Sequence, residues 1–112
     1  MRKIILFCLL HCILIYYASA QQKTIDSLLN VLKSSKEDSN KVKVLNRITY
    51  IYINVPPLEY YKALPFAEEA QHLSEKLSYK RDEAVVLNYL ATIYGYFGNY
   101  EKMFKNCLAE LK

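Results

Sequence analysis

The sequence predicts an all-α protein of about five helices packed as antiparallel pairs, and three observations predict it. Apolar residues recur at helical spacing along most of the chain, and no alternating β pattern persists. Proline and glycine are rare, three and two among 112 residues, and they fall between the helical stretches or near their ends, apart from Pro65 and Gly95. Stretches of the chain also repeat at an interval of about forty residues, the signature of stacked helical units.

The first twenty residues, MRKIILFCLLHCILIYYASA, differ from the rest. Arg2 and Lys3 open the chain, Ile4 to Tyr17 is apolar apart from His11, and Ala18-Ser19-Ala20 offers the small-x-small site of a signal peptidase. This is the three-part layout of a secretory signal over residues 1–20. As a helix, Ile4 to Tyr17 spans roughly 21 Å, short of the roughly 30 Å hydrocarbon core. An uncleaved membrane anchor is the alternative reading. Export to a periplasmic or extracellular location follows from the first reading.

Removal of the signal takes Cys8 and Cys12 with it, leaving Cys107 alone and without an internal disulfide partner. Cys107 is then expected to be a small buried apolar residue. The remaining 92 residues carry 13 basic and 11 acidic side chains, mixed along the chain. That scatter excludes a nucleic-acid footprint. Ninety-two residues suit one small domain with a modest core.

A leading helix with Ile25, Leu28, Leu29 and Leu32 on one face follows, with Thr24 as its expected N-cap and Asp26 near its positive end. Residues 21–39 hold this helix and the polar break SSKEDSN. A second helix is expected from about Asp38 to Asn40, burying Val42, Leu45, Ile48 and Ile51 or Tyr52. NVPP at 54–57 stops it, and Pro57 is expected in the first turn of the third helix. That helix runs through EYYKALPFAEEAQHLSEKL, with a kink or restart at Pro65. SYKRD connects to a fourth helix carrying Val86 or Leu87, Leu90, Ile93 or Tyr94, and Phe97. Gly98 is expected in the left-handed conformation after it, with Asn99 capping the fifth helix, which runs from Tyr100 through Phe104, Leu108 and Leu111. Gly95 falls inside the fourth helix, at a cost of about 1 kcal/mol relative to Ala. Either a close approach of another backbone or a ligand, or an exposed, unconstrained position, accounts for it.

The repeat is explicit. An offset of 42 residues matches Val42 with Ala84, Leu45 with Leu87, Asn46 with Asn88, Ile48 with Leu90, Thr49 with Ala91 and Tyr52 with Tyr94. For the second helices the offset is 40, and YYKAL lies over YEKMF, with Tyr60 on Tyr100 and Lys62 on Lys102. Here the chain resembles the tetratricopeptide repeat family. LNYLATIYGYFGNYEKM carries its spaced residues in Leu87, Leu90, Ala91, Tyr94, Gly98 and Tyr100. The earlier copy keeps Leu45, Ile48, Tyr52, Tyr60, Ala63, Ala67 and Ala70. The departures are Met103 and Glu110 where the family favours Ala, and Thr49 where it favours Gly or Ala. The resemblance covers residues 40–112 as two helix pairs, the last without a terminal cap, and it implies a right-handed solenoid.

By that resemblance, the first helix of each pair lines a concave peptide-binding groove. Its lining would be Lys43, Asn46, Tyr50, Ile53 and Asn54, then Val85, Asn88, Thr92, Gly95 and Tyr96. A side-chain amide both donates and accepts, which suits an extended peptide backbone at the recurring Asn46 and Asn88. Solvation or local capping is the other reading of both asparagines. Lys43 alone does not reproduce the basic carboxylate clamp of the family's chaperone-tail binders. The order of signal, leading helix and repeats also resembles the exported N-terminal region of Bacteroidetes-type proteins, where such arrays precede a sensor histidine kinase or DNA-binding output. Neither output module occurs within these 112 residues.

Catalysis finds no constellation of residues. His72 stands near Glu68 and Glu75 on one helical face, and solvated charge is the expected role of all three rather than a metal site. Two glycines cannot build a phosphate loop. The sequence therefore points to a protein- or peptide-binding module without cofactor, metal or enzyme activity, as part of a larger extracytoplasmic sensor or scaffold. Alternatives are the sensory region of a histidine kinase or transcriptional regulator, and a self-contained adaptor that dimerises through Phe104, Leu108 and Leu111.

Overall fold

The computed structural model describes residues 1–111 as five α-helices, with no strand among them. They are α1 (Arg2–Lys33), α2 (Ser39–Asn54), α3 (Tyr60–Leu77), α4 (Lys80–Tyr96) and α5 (Tyr100–Glu110). Short connections force successive helices antiparallel. α3 packs against both α2 and α4, α1 against α2, and α5 against α4, while α2 and α4 also touch.

α2 is the central element because three helices cover it, and Ile51, Tyr52 and Ile53 are buried in succession. Its start is fixed by Asp38, whose carboxylate accepts from the backbone N–H of Asn40 and Lys41, satisfying two otherwise orphaned donors. Val42, Leu45 and Ile48 meet Ile25 from α1, Ala63, Ala67, Ala70 and Leu73 from α3, and Val86, Leu90 and Ile93 from α4 in one core cluster. The alanines of α3 let the flanking helices approach closely. Thr49, in a slot where a small residue is expected, is fully buried, and its hydroxyl donates to the Leu45 carbonyl at 2.8 Å. That bond makes the burial tolerable.

Several local expectations are corrected. Thr24 caps nothing, since α1 is unbroken across residues 18–24 and the Thr24 hydroxyl donates to the Ala20 carbonyl within the helix. Pro57 precedes α3 by a bend rather than entering its first turn. α3 passes through Pro65 as one helix, and no restart occurs there. Cys107 is exposed, not buried, because α5 buries none of its residues.

The α4–α5 turn follows the expectation for Gly98. Its φ is +73°, its N–H donates to Gly95 O at 3.1 Å, and the Asn99 N–H reaches Tyr94 O at 2.9 Å. This is the paired closure of a Schellman motif, and Asn99 Oδ1 then accepts from the Lys102 N–H. The α3–α4 turn closes in the same way, with Ser78 N–H to Glu75 O and Tyr79 N–H to Ser74 O. There the left-handed position is filled by Ser78, at φ 59°, instead of glycine.

Candidate binding surface

Tyr50 on α2 and Tyr89 on α4 stand side by side, their ring centroids 6.4 Å apart. The Arg47 guanidinium lies 5.8 Å from the Tyr50 centroid, within cation–π range. Burial pushes the Tyr89 hydroxyl above the ordinary tyrosine range, with the neighbouring Tyr50 adding to the shift and Arg47 opposing it. Tyr50 remains 40% exposed and Val85 38%. Lys43, Asn54, Asn88 and Thr92 are also exposed, so the outer edges of α2 and α4 present a tyrosine-centred surface with amide and hydroxyl groups around it.

Not every residue named from the sequence reaches that surface. Ile53 and Asn46 are buried. Asn46 Nδ2 makes one long contact of 3.5 Å to the Asp82 carbonyl, and its Oδ1 has no partner among the described residues. Asn88, its repeat counterpart, is exposed, and Thr92 donates to its backbone carbonyl. The two asparagines share a register but not an environment, because the start of α4 covers the first and no helix lies over the second.

Gly95 turns toward α5. A Cβ built there would lie 3.0 Å from Met103 Sδ. Neither explanation open from sequence is the one found, since the close approach comes from a side chain of the neighbouring helix rather than from a backbone or a ligand. The departure at Met103 has the same cause, since the thioether occupies the volume that Gly95 leaves. One repeat earlier the sizes are reversed, with Ile53 and Ala63 in the corresponding positions. Tyr96 also leaves the α2–α4 edge. It stacks on Tyr60 of α3 at 4.2 Å and 15°, at the end of the molecule where both helix-pair turns lie.

The repeat residues behave as packing elements. Tyr52 stacks on Phe66 at 6.0 Å, and burial raises its pKa. The Tyr94 hydroxyl donates to Glu68 at 3.3 Å, and its pKa is raised by burial first and by the Glu68 charge second. Leu87, Leu90 and Ala91 are buried, while Tyr100 is 60% exposed. His72 is exposed, Glu75 accepts from Gln71, and among the described residues no three His, Cys, Asp or Glu side chains gather as a metal site would need.

Sequence reasoning missed Gln21 altogether. Its side chain is 6% exposed, and Nε2 donates to the carbonyls of Val55 at 2.7 Å and Pro57 at 3.1 Å. The signal available was slight, an amide following a run of small residues. No family model, curated protein or solved structure matches the chain.

Proposed function

We propose that this chain is an exported module of tetratricopeptide type, whose stacked helix pairs bind a protein or peptide segment without catalysis. In this reading it is the N-terminal part of a larger extracytoplasmic sensor or scaffold. The observation that supports it most directly is the Arg47–Tyr50–Tyr89 group shared between α2 and α4, flanked by exposed Val85, Asn88 and Thr92. Rigid tyrosines beside a guanidinium contribute contact area at low entropic cost, and such residues dominate binding energies at protein interfaces. Asn88 adds both a donor and an acceptor for an extended backbone.

The test is a random-peptide selection against the full chain, followed by titration calorimetry with the best binder. Tyr50→Ala and Asn88→Ala should each weaken binding, the tyrosine by about tenfold or more, with thermal midpoints near that of the parent. Peptides whose affinity ignores both substitutions would remove this surface from consideration.

One observation favours a second reading, a self-associating adaptor. Phe104, Leu108 and Leu111 on α5 are 60%, 62% and 83% exposed. Light scattering separates the readings, since a dimer abolished by Leu108→Lys supports association through α5 and a monomer excludes it.

A further inference from the structure

The molecule has two unlike ends. α2, α3, α4 and α5 alternate in direction, so the α2–α3 and α4–α5 turns share one end, and the Tyr60–Tyr96 stack ties them together. Residues 51–63 and 93–103 form that end and carry four charged side chains, Glu59, Lys62, Glu101 and Lys102, among 24 residues. The same 24 residues hold seven aromatic side chains. Residues 33–44 and 73–84 form the opposite end and carry twelve charges among 24 residues, with one aromatic, Tyr79. Of the four charges at the aromatic end, Glu59 and Lys62 pair with each other at 2.8 Å. Leu58, Tyr61, Tyr96 and Tyr100 there are between 49% and 66% exposed, and Phe97 is 44% exposed.

α1 leaves the array from this same end. Gln21 is held by the carbonyls of Val55 and Pro57, at the close of α2, and α1 runs antiparallel to α2 from there to Lys33. Everything before Gln21 therefore projects past the two turns as a free rod. Residues 1–17 are exposed on every side. From Ile4 to Gln22 there is no Asp, Glu, Lys or Arg, a helical length of roughly 28 Å. A protein groove accepts a helix with one apolar stripe, whereas a rod apolar all round suits lipid.

We propose that the partner of this end is a lipid bilayer. α1 is retained as a membrane-spanning anchor, and the array stands on the membrane with both helix-pair turns at the lipid surface. From Ile4 to Ala20 the free helix spans roughly 26 Å, and slight local thinning of the bilayer matches it to the roughly 30 Å hydrocarbon core. Arg2 and Lys3 then stay on the cytoplasmic side, which places the array across the membrane. Tyr61, Tyr96, Phe97 and Tyr100 lie where aromatic side chains favour the interface between lipid and water. The charged end points away, into water.

The folded chain does not present the cleavage sequence. The Ala18-Ser19-Ala20 sequence lies within an unbroken helix, and the next residue, Gln21, is buried. Exposing the bond after Ala20 to a peptidase requires unwinding α1 and withdrawing Gln21 from two carbonyls. Because Gln21 joins the span directly to the array, there is no linker, and the orientation is fixed by the helix itself.

The chain contains no tryptophan, so single-tryptophan variants report position cleanly. The full chain is expressed in a bacterial host, and its intact mass is measured in the membrane fraction. It is then reconstituted into phosphatidylcholine–phosphatidylglycerol vesicles containing acyl-chain-brominated lipid. Phe97→Trp and, independently, Tyr61→Trp should be quenched several-fold more strongly than Leu108→Trp near the opposite end. The mass should begin at Met1. A chain recovered without residues 1–20 overturns the anchor. Equal quenching at both ends, or none at either, overturns the orientation, and protection of all three probes by dimer formation would identify a second copy as the occupant instead.

Discussion

Gly95 and Met103 offer the sharpest quantitative test of how the second helix pair is packed. The missing Cβ of Gly95 sits 3.0 Å from Met103 Sδ, and the first pair carries Ile53 and Ala63 in the matching positions. Installing the first pair's residues in the second should therefore work only as a pair. Gly95→Ile alone drives a branched side chain into the thioether, and overpacking of this kind costs about 1–3 kcal/mol. Replacing glycine within a helix returns about 0.5 kcal/mol, so the net loss should be about 1–2 kcal/mol. Met103→Ala alone opens a partly exposed gap and should cost about 1 kcal/mol. The double variant fills that gap with the isoleucine and should recover most of both losses, a coupling of about 2 kcal/mol. Chemical denaturation of the full chain in mild detergent, followed by circular dichroism at the helical band, measures all four corners of the cycle. Additivity within about 0.5 kcal/mol would mean that the two positions do not share volume, and the packing account of Gly95 would fail.

The other predictions concern backbone conformation and pH. Ser78 at φ 59° pays a left-handed strain that glycine does not, so Ser78→Gly should stabilise by about 0.5–1 kcal/mol. Gly98→Val, at φ 73°, should destabilise by about 1–2 kcal/mol or more, and denaturation midpoints with unchanged slopes would check both. A stabilising Gly98→Val would refute the turn assignment. Tyr52, Tyr89 and Tyr94 have pKa values raised chiefly by burial, so at alkaline pH the folded state binds more protons than the unfolded one. Their contribution is complete below the unfolded tyrosine value near 10 and is lost as pH rises through the folded values. Tyr89→Phe should flatten the decline in stability measured between neutral and strongly alkaline pH, and an unchanged slope would show that Tyr89 does not contribute to it.

Local signals in the sequence were sufficient for α2 to α5 and for one turn. Gly98-Asn99 names its own geometry because the left-handed position and the cap are properties of adjacent residues. The same closure at Ser78 was hidden, since serine carries no backbone requirement that would announce it. Thr24 was misread because the uncharged stretch and the leading helix are one helix, and a hydroxyl that can cap can equally bond back to the preceding turn. Cys107 was misread because burial depends on what covers α5, which no property of its own helix specifies.

The asparagines show the limit of reading a site by register. Asn46 and Asn88 occupy one slot 42 residues apart, and local chemistry gives no reason to treat them differently. Only the neighbouring helix distinguishes them, closing over Asn46 at Asp82 and leaving Asn88 exposed. Gly95 and Met103 make the same point in reverse. Each is unusual at its own position, a glycine inside a helix and a large side chain where the earlier copy has Ala63, and the Cβ that Gly95 lacks would meet the Met103 thioether. One contact between α4 and α5 thus accounts for both residues, and a pattern scored position by position registers two separate departures where the packing has a single cause.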